Sequence, residues 1–400
     1  MSGPMDDIIV VGGRVAGAPT AMLLARAGFK VRVVERSPEL GETLTGIVVQ
    51  IAGTARLRSW GLLDAVLATG CPPISDSRMW VDGEEWTDAT GPDPAATAAG
   101  VPPADRASGP WGSPEVFALA PRRSALDPVL LDGARQAGAV ADLGNSVRRL
   151  LTDGTRVTGV STDKGDYRAR LVIGADGRNS RVAGLAGARK YVDQAPVTCL
   201  YYAYWDRPVS GLRFFWGAGR LIFMAPTNDK CTLVAIEAPH AEFDAMRRDP
   251  MASYLRVLAA QAQVMAILDG ASMTEPLRGT GDLPTFFRES AGSGWALVGD
   301  AGHCKDPLLG RGITDAFRDA ELITGAIAVG WDGDLDHAIA GYPVQRDTAA
   351  RPLSSANDSV VAGLGVLPAR HTARGFLWLA GLEPALDPPR IVSETAGATP

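Results

Sequence analysis

Three glycine-rich stretches hold the residues whose types and spacing could do chemistry. The first is Gly12-Gly13-Arg14-Val15-Ala16-Gly17, which follows the apolar run Ile8-Ile9-Val10-Val11. A tight turn of this kind lets backbone N–H groups at a helix N-terminus approach a pyrophosphate, with the helix dipole adding attraction. Glu35 closes the next apolar run at a distance that suits ribose hydroxyls, and Arg36 follows it. The spacing predicts a dinucleotide site made by Gly12, Gly13, Arg14, Val15, Ala16, Gly17, Glu35 and Arg36. Arg14 stands where the middle glycine of G-x-G-x-x-G belongs. Its Cβ would crowd a phosphate, so either the turn widens or the guanidinium itself makes a phosphate contact.

The second stretch is Gly174-Ala175-Asp176-Gly177-Arg178-Asn179-Ser180, and the third runs from Gly299-Asp300-Ala301-Gly302-His303 through Pro307 to Gly310-Arg311-Gly312. A glycine-rich loop ahead of a helix is an anion site whatever the anion. Asp176 could contact a ligand or bond its own backbone as a turn aspartate. His303 could be an acid or base, although a loop anchor suits its place better. Cys304 and Lys305 beside it are open to both readings.

These residues need elements to hold them. Ile8–Val11, a helix over 18–27 closed by Gly28, and Val31–Glu35 read as a βαβ unit. A helix is expected over Thr54 to Leu67, then a Gly/Pro/Asp-rich region to about Pro110 with strands and loops of an inserted module. A helix over Arg122 to Gln136 and a buried strand over Leu171 to Ile173 return to the first unit. Thr198–Trp205, Arg213–Trp216, Leu221–Ala225 and Thr232–Glu237 read as strands of an antiparallel sheet. Its aromatic residues, Tyr201, Tyr202, Tyr204, Trp205, Phe215, Trp216 and Phe223, should alternate between a pocket and the opposite face. Arg213 lies among them; facing the pocket it could pair with a phenolate or carboxylate, and otherwise it faces solvent. A strand over Trp295 to Val298, a helix over Ile313 to Val329, helical stretches past Arg351 and a loose tail from Asp387 complete the chain.

Composition limits the partners. The 400 residues are 46% hydrophobic and 21% charged, with a net charge of −6 and neither a basic stripe nor an acidic tail. Disorder is excluded, and nucleic acid or an anionic membrane is a poor match. Cys71, Cys199, Cys231 and Cys304 form no C-x-x-C, and only four histidines are present, so neither a metal centre nor a disulfide framework is expected. No apolar run reaches membrane-span length and the N-terminus lacks a leader pattern, which points to the cytoplasm.

Read together, the three glycine stretches, in their order and spacing, resemble the FAD-dependent monooxygenases of the para-hydroxybenzoate hydroxylase fold, over about residues 6 to 350. The resemblance implies an α/β chain: a Rossmann-like FAD-binding domain with an inserted antiparallel β-sheet substrate domain and C-terminal helices. The FAD domain would comprise 1–75, 110–190 and 286–350, the substrate domain 76–109 and 191–285, and a helical segment with a tail 351–400. Glu35 would hold the adenosine ribose, Arg123 would face the pyrophosphate and Val147 would meet the adenine. Asp176 would serve FAD and nicotinamide binding, and Asp300 would bind the ribitol. The backbone from Gly310 through Gly312 and Ile313 to Thr314 would stabilise the N1–C2=O side of reduced flavin. Where relatives usually carry Gln and Asn in this loop, the chain has Arg311 and Thr314.

The resemblance also implies that reduced FAD reacts with O₂ to a C4a-hydroperoxide, which transfers one oxygen atom to an aromatic or polyketide-like small molecule. Pro307 would line the oxygen pocket, and Pro307 with Arg213 are the side chains nominated for the reaction. No second dinucleotide fingerprint occurs, so NADH or NADPH would visit transiently, or a separate flavin reductase would supply electrons. A reductase or dehydrogenase of the geranylgeranyl-reductase type and a non-catalytic flavin-binding module are the alternatives.

Overall fold

The computed structural model describes residues 5–44, 46–86 and 116–373. The loops expected from residue 87 to Pro110 and the tail from Asp387 lie outside them. β1 (Asp6–Val11), α1 (Gly17–Arg26) and β2 (Val31–Glu35) form the expected βαβ unit. Ile8 pairs in parallel with Val31 on one edge and with Leu171 on the other, so β1 is enclosed and its uninterrupted apolar run follows. α2 (Ile51–Ser59) is shorter than the sequence suggests. Gly61 adopts φ +71°, a left-handed conformation that ends a helix, and a separate helix covers Leu63–Leu67.

β3 (Ser77–Val81) is followed by α3 (Arg123–Gln136), β4 (Val140–Leu143), β5 (Val147–Asp153), β6 (Arg156–Thr162) and β7 (Gly165–Gly174). Next come β8 (Thr198–Trp205), β9 (Leu212–Gly217), β10 (Arg220–Pro226) and β11 (Thr232–Pro239). α4 (Pro250–Ala259), α5 (Ala262–Ile267), β12 (Arg278–Thr280), β13 (Trp295–Leu297), α6 (Gly312–Gly330) and α7 (Tyr342–Gly363) complete the elements used below. The first sheet runs β13-β7-β1-β2-β4 in parallel, with Ala291–Gly292 antiparallel at the edge beside β13 and the β5–β6 hairpin continuing from β7.

The second sheet has the order β12-β8-β11-β10-β9-β3 and ends on Glu84–Glu85. β8, β11, β10 and β9 pair antiparallel as expected, and β3 joins the edge in parallel with β9, with Leu212 beside Ser77. The two strands are far apart in sequence, so no hairpin constrains their direction. One face packs under α4 and α5, where Tyr201, Trp205, Phe215 and Ile236 meet Tyr254 and Leu258. Trp205 Nε1 donates to the Tyr254 hydroxyl at 3.1 Å, and that hydroxyl donates to the Val234 carbonyl at 2.9 Å. On the other face Tyr204 and Trp216 share a core with Leu353 and Val360 of α7. Burying these apolar side chains contributes roughly 1.5–3 kcal/mol each.

Candidate functional site

An elongated cavity of about 680 Å³ runs from the turn after β1, past the start of α6, to the face of the second sheet that carries Tyr202 and Phe214. At its first end Gly12 has φ +103°, and a Cβ there would lie 2.5 Å from the Ala175 carbonyl oxygen. A Cβ on Gly17 would come within 1.8 Å of the Gly12 carbonyl, so only glycine lets α1 sit against β1. The N-cap of α1 is Ala16, with no side-chain cap, which leaves first-turn N–H groups for a ligand. Gly12, Arg14, Val15 and Ala16 line the cavity, whereas Gly13 and Gly17 support it from behind.

Glu35 is buried and lines the cavity. Its Oε2 accepts from the Gly13 N–H at 2.8 Å and its Oε1 from the Ser37 N–H at 2.9 Å, so the carboxylate shapes the turn it faces. Arg36 and Val147 line the same end. The Arg14 guanidinium donates to the Gly41 carbonyl at 2.9 Å and to Asp127 at 2.6 Å. Arg123 donates to the same buried Asp127 at 2.9 and 3.0 Å while also lining the cavity. Two arginines therefore converge on one carboxylate beside the glycine turn.

Asp176 lines the cavity, yet its carboxylate is engaged by its own segment. It accepts from the Ser180 hydroxyl at 2.5 Å and from the Arg181 and Val182 N–H groups at 2.7 and 3.1 Å. The side chain makes the turn-aspartate bonds, and Gly177 beside it has φ +80°. Asp300 also lines the cavity. Burial pushes its carboxyl up, against the opposing pull of Lys305, Arg178 and Arg123.

Pro307 starts the short turn Pro307–Leu309 and lines the cavity, as do Gly310, Gly312 and Ile313. Gly310 has φ +62°, and α6 then begins with no side-chain cap on its N-terminus. Its dipole and open N–H groups face the cavity at mid-length. Thr314 is fully buried and does not reach the cavity; its hydroxyl accepts from the Gln50 N–H at 3.1 Å. Behind this turn Asp315 binds Lys305 at 2.7 Å, Arg311 at 2.9 Å and Arg318 at 3.0 Å. Burial alone would raise Asp315, but Arg318, Lys305 and Arg311 hold it well below the carboxylate range. His303 is buried outside this cavity and stacks on Phe287 at 3.9 Å. Burial and Lys305 keep its imidazole well below its ordinary pKa, and its position is that of a loop anchor.

The apolar end consists of alternate residues of the second sheet, including Tyr202, Phe214 and Phe223. Arg213 is a correction. Leu212 and Phe214 face the cavity, so the two-residue strand period turns Arg213 to the opposite face, where it meets Asp76 at 3.2 Å and Ser210 at 2.8 Å.

The FAD binding domain family matches residues 5–202. The chain is 28% identical over 337 residues to 6-methylpretetramide 4-monooxygenase of Streptomyces rimosus, covering 80% of this chain and 74% of that protein. It is 27% identical over 358 residues to 3-demethoxyubiquinol 3-hydroxylase of Escherichia coli, covering 86% and 84%. The chain carries an FAD binding domain, and these relatives over most of its length are a monooxygenase and a hydroxylase. The fold is shared with PqsL of P. aeruginosa in complex with 2-aminobenzoylacetate, at a TM-score of 0.74 and 20% identity over 94% of this chain and 100% of that one.

In this FAD-dependent oxidoreductase the residues present fit the cofactor. The Gly12 turn, which packs on the Ala175 backbone too closely for any Cβ, and the uncapped start of α6 stand along one cavity, as a pyrophosphate and a ring with an anionic edge require. Sequence reasoning missed the segment 43–50, which lines the cavity through Thr43, Leu44, Gly46, Ile47, Val48 and Gln50. Gln50 Nε2 donates to the Leu309 carbonyl at 2.7 Å, tying this segment to the loop before α6. Only the glycines at 41 and 46 punctuate the segment, and no periodicity marks it. Glu237, on the cavity face of β11, was likewise read only as a strand residue. Among the described residues no His/Cys/Asp/Glu group could hold a metal, the four cysteines are free and buried, and no helix is long and apolar enough to cross a membrane.

Proposed function

We propose that this enzyme inserts one oxygen atom of O₂ into an aromatic or polyketide-like small molecule held against the second sheet. The observation that carries the reading is the continuity of the cavity: one space joins the glycine turn, the start of α6 and an apolar aromatic wall. Bound FAD would supply electron transfer and oxygen activation. The chain's own groups would bind, orient and exclude water. Gly12, Gly13, Arg14, Val15, Ala16 and Gly17 would form the pyrophosphate turn with Arg123 beside it, and Glu35, Arg36 and Val147 would hold the adenosine. Asp300 would take the ribitol, Asp176 would shape the adjoining wall, Gly310 would shape the loop through its N–H bond to the Pro307 carbonyl, and the N–H groups of Gly312 and Ile313 would face the flavin's N1–C2=O edge. Pro307 would be wall rather than reagent. The first sheet with its helices would be the cofactor domain and the second sheet the substrate domain, near the boundaries at 75, 110, 190 and 286. NADH or NADPH would reduce the flavin from a transient site, or a flavin reductase would deliver electrons.

The test uses FAD-loaded protein with NADH or NADPH, oxygen-18 gas and a panel of phenols and aromatic polyketides. One labelled atom in the product supports the proposal. A product reduced at a double bond, with no label, replaces it with a reductase of the geranylgeranyl-reductase type. Flavin that bleaches with dithionite but not with either nicotinamide assigns reduction to a separate protein.

A further inference from the structure

On β11 the residues facing the cavity are Leu233, Ala235 and Glu237. The cross-strand neighbours of Glu237 are Leu200 and Leu221, so a carboxyl group sits in an apolar wall. Glu237 is only 5% exposed, and its Oε1 has no hydrogen-bond partner. An orphaned buried oxygen of this kind is costly, and natural proteins rarely keep one without use.

The rest of the carboxyl group is held from behind. Glu237 is hydrogen-bonded to Asp306, which accepts from the Thr198 hydroxyl and, through Oδ1, from the Leu308 N–H at 3.1 Å. Asp306 is thereby fixed to the Pro307–Leu309 turn that lines the cavity. From α7, Asn357 reaches the Asp306 carbonyl and Asp358 adds a third carboxyl. Among the described residues no lysine or arginine is a cause of the shift at either member of the pair. Burial pushes Glu237 well above the carboxylate range, and the charge of Asp306 pushes it further. Two acids this close share a proton, which occupies the bond between them and leaves Oε1 a hydrogen-bond acceptor.

We propose that Glu237 anchors the substrate: its free Oε1 accepts a hydrogen bond from a phenolic O–H or aryl N–H, and the acid pair disfavours ligands bearing a carboxylate at that end. The proposal rests on reading this cavity as the substrate site. It adds to that reading a polarity rule, neutral donor inward and carboxylate excluded, and a side chain that enforces it.

Three matched probes test the rule: 2-naphthol, 2-methylnaphthalene and 2-naphthoate, titrated calorimetrically into FAD-loaded wild-type, Glu237→Leu and Glu237→Gln proteins whose flavin content is read by absorbance. Wild type should bind 2-naphthol about tenfold more tightly than 2-methylnaphthalene and 2-naphthoate most weakly. Glu237→Leu should erase the naphthol preference, and Glu237→Gln should admit 2-naphthoate, both with flavin content unchanged. Equal affinity of wild type for naphthol and methylnaphthalene, a preference that survives in Glu237→Leu, or no binding of any probe overturns the proposal. An intact naphthol preference without oxygen-18 incorporation would remove the monooxygenase reading and leave the Glu237 assignment standing.

Discussion

Arg14 is the residue at which this chain departs from the fingerprint, and its surroundings explain why the departure is tolerated. Asp127 is fully buried and accepts from both Arg14 and Arg123, so removing one arginine leaves a buried carboxylate half-compensated. Arg14→Gly restores the consensus pattern, yet it should destabilise the fold by on the order of 1–3 kcal/mol in urea unfolding while flavin is retained. An unchanged midpoint with flavin lost would instead place Arg14 on the phosphate. Much at this scale was legible in the sequence: Gly12, Gly17 and Glu35 stand where the spacing put them, because close backbone approach admits no side chain. The partner of Arg14 was not legible, since Asp127 lies 113 positions away and no local pattern links them.

At the scale of elements, the strands of the second sheet were readable almost to their ends, because aromatic and β-branched residues alternate against two different surroundings. The helix expected over Thr54 to Leu67 failed where Gly61 turns left-handed. The direction of β3 beside β9 had no signal, because pairing across a long separation leaves nothing in the local sequence. The segment 43–50 escaped for a related reason: tertiary contacts hold it, through Gln50 and through the Tyr202 hydroxyl, which donates to the Thr43 carbonyl at 3.0 Å. Gln50→Leu therefore loses the tie to Leu309. With a net hydrogen-bond contribution of about 0.5–1.5 kcal/mol, FAD affinity should fall by up to about tenfold, measured by the fluorescence of released flavin. No change in affinity would show that the loop before α6 holds its shape without this bond.

For the whole molecule, the acids gathered between β11, the turn at Asp306 and α7 link stability to pH. Burial raises Asp358, with Asp306 adding to it, to about 6 from an ordinary value of 3.8. The folded state therefore binds a proton more tightly than the unfolded chain, and this group costs stability as pH rises from about 4 to about 6. Asp358→Asn should flatten that part of the profile and raise the urea midpoint above pH 6, with little effect below pH 4. An unchanged slope between those limits would mean that α7 does not bring Asp358 into the acid group.

The first sheet also sets an order of events during synthesis. β13, at residues 295–297, pairs beside β7, and α6 follows it, so the cofactor side of the cavity cannot close until the ribosome has passed residue 330. Until then the growing chain carries an open parallel sheet edge and an unfilled glycine turn, a state prone to association with other chains. A message truncated anywhere before that point should yield aggregated, colourless protein rather than a smaller flavin-binding unit.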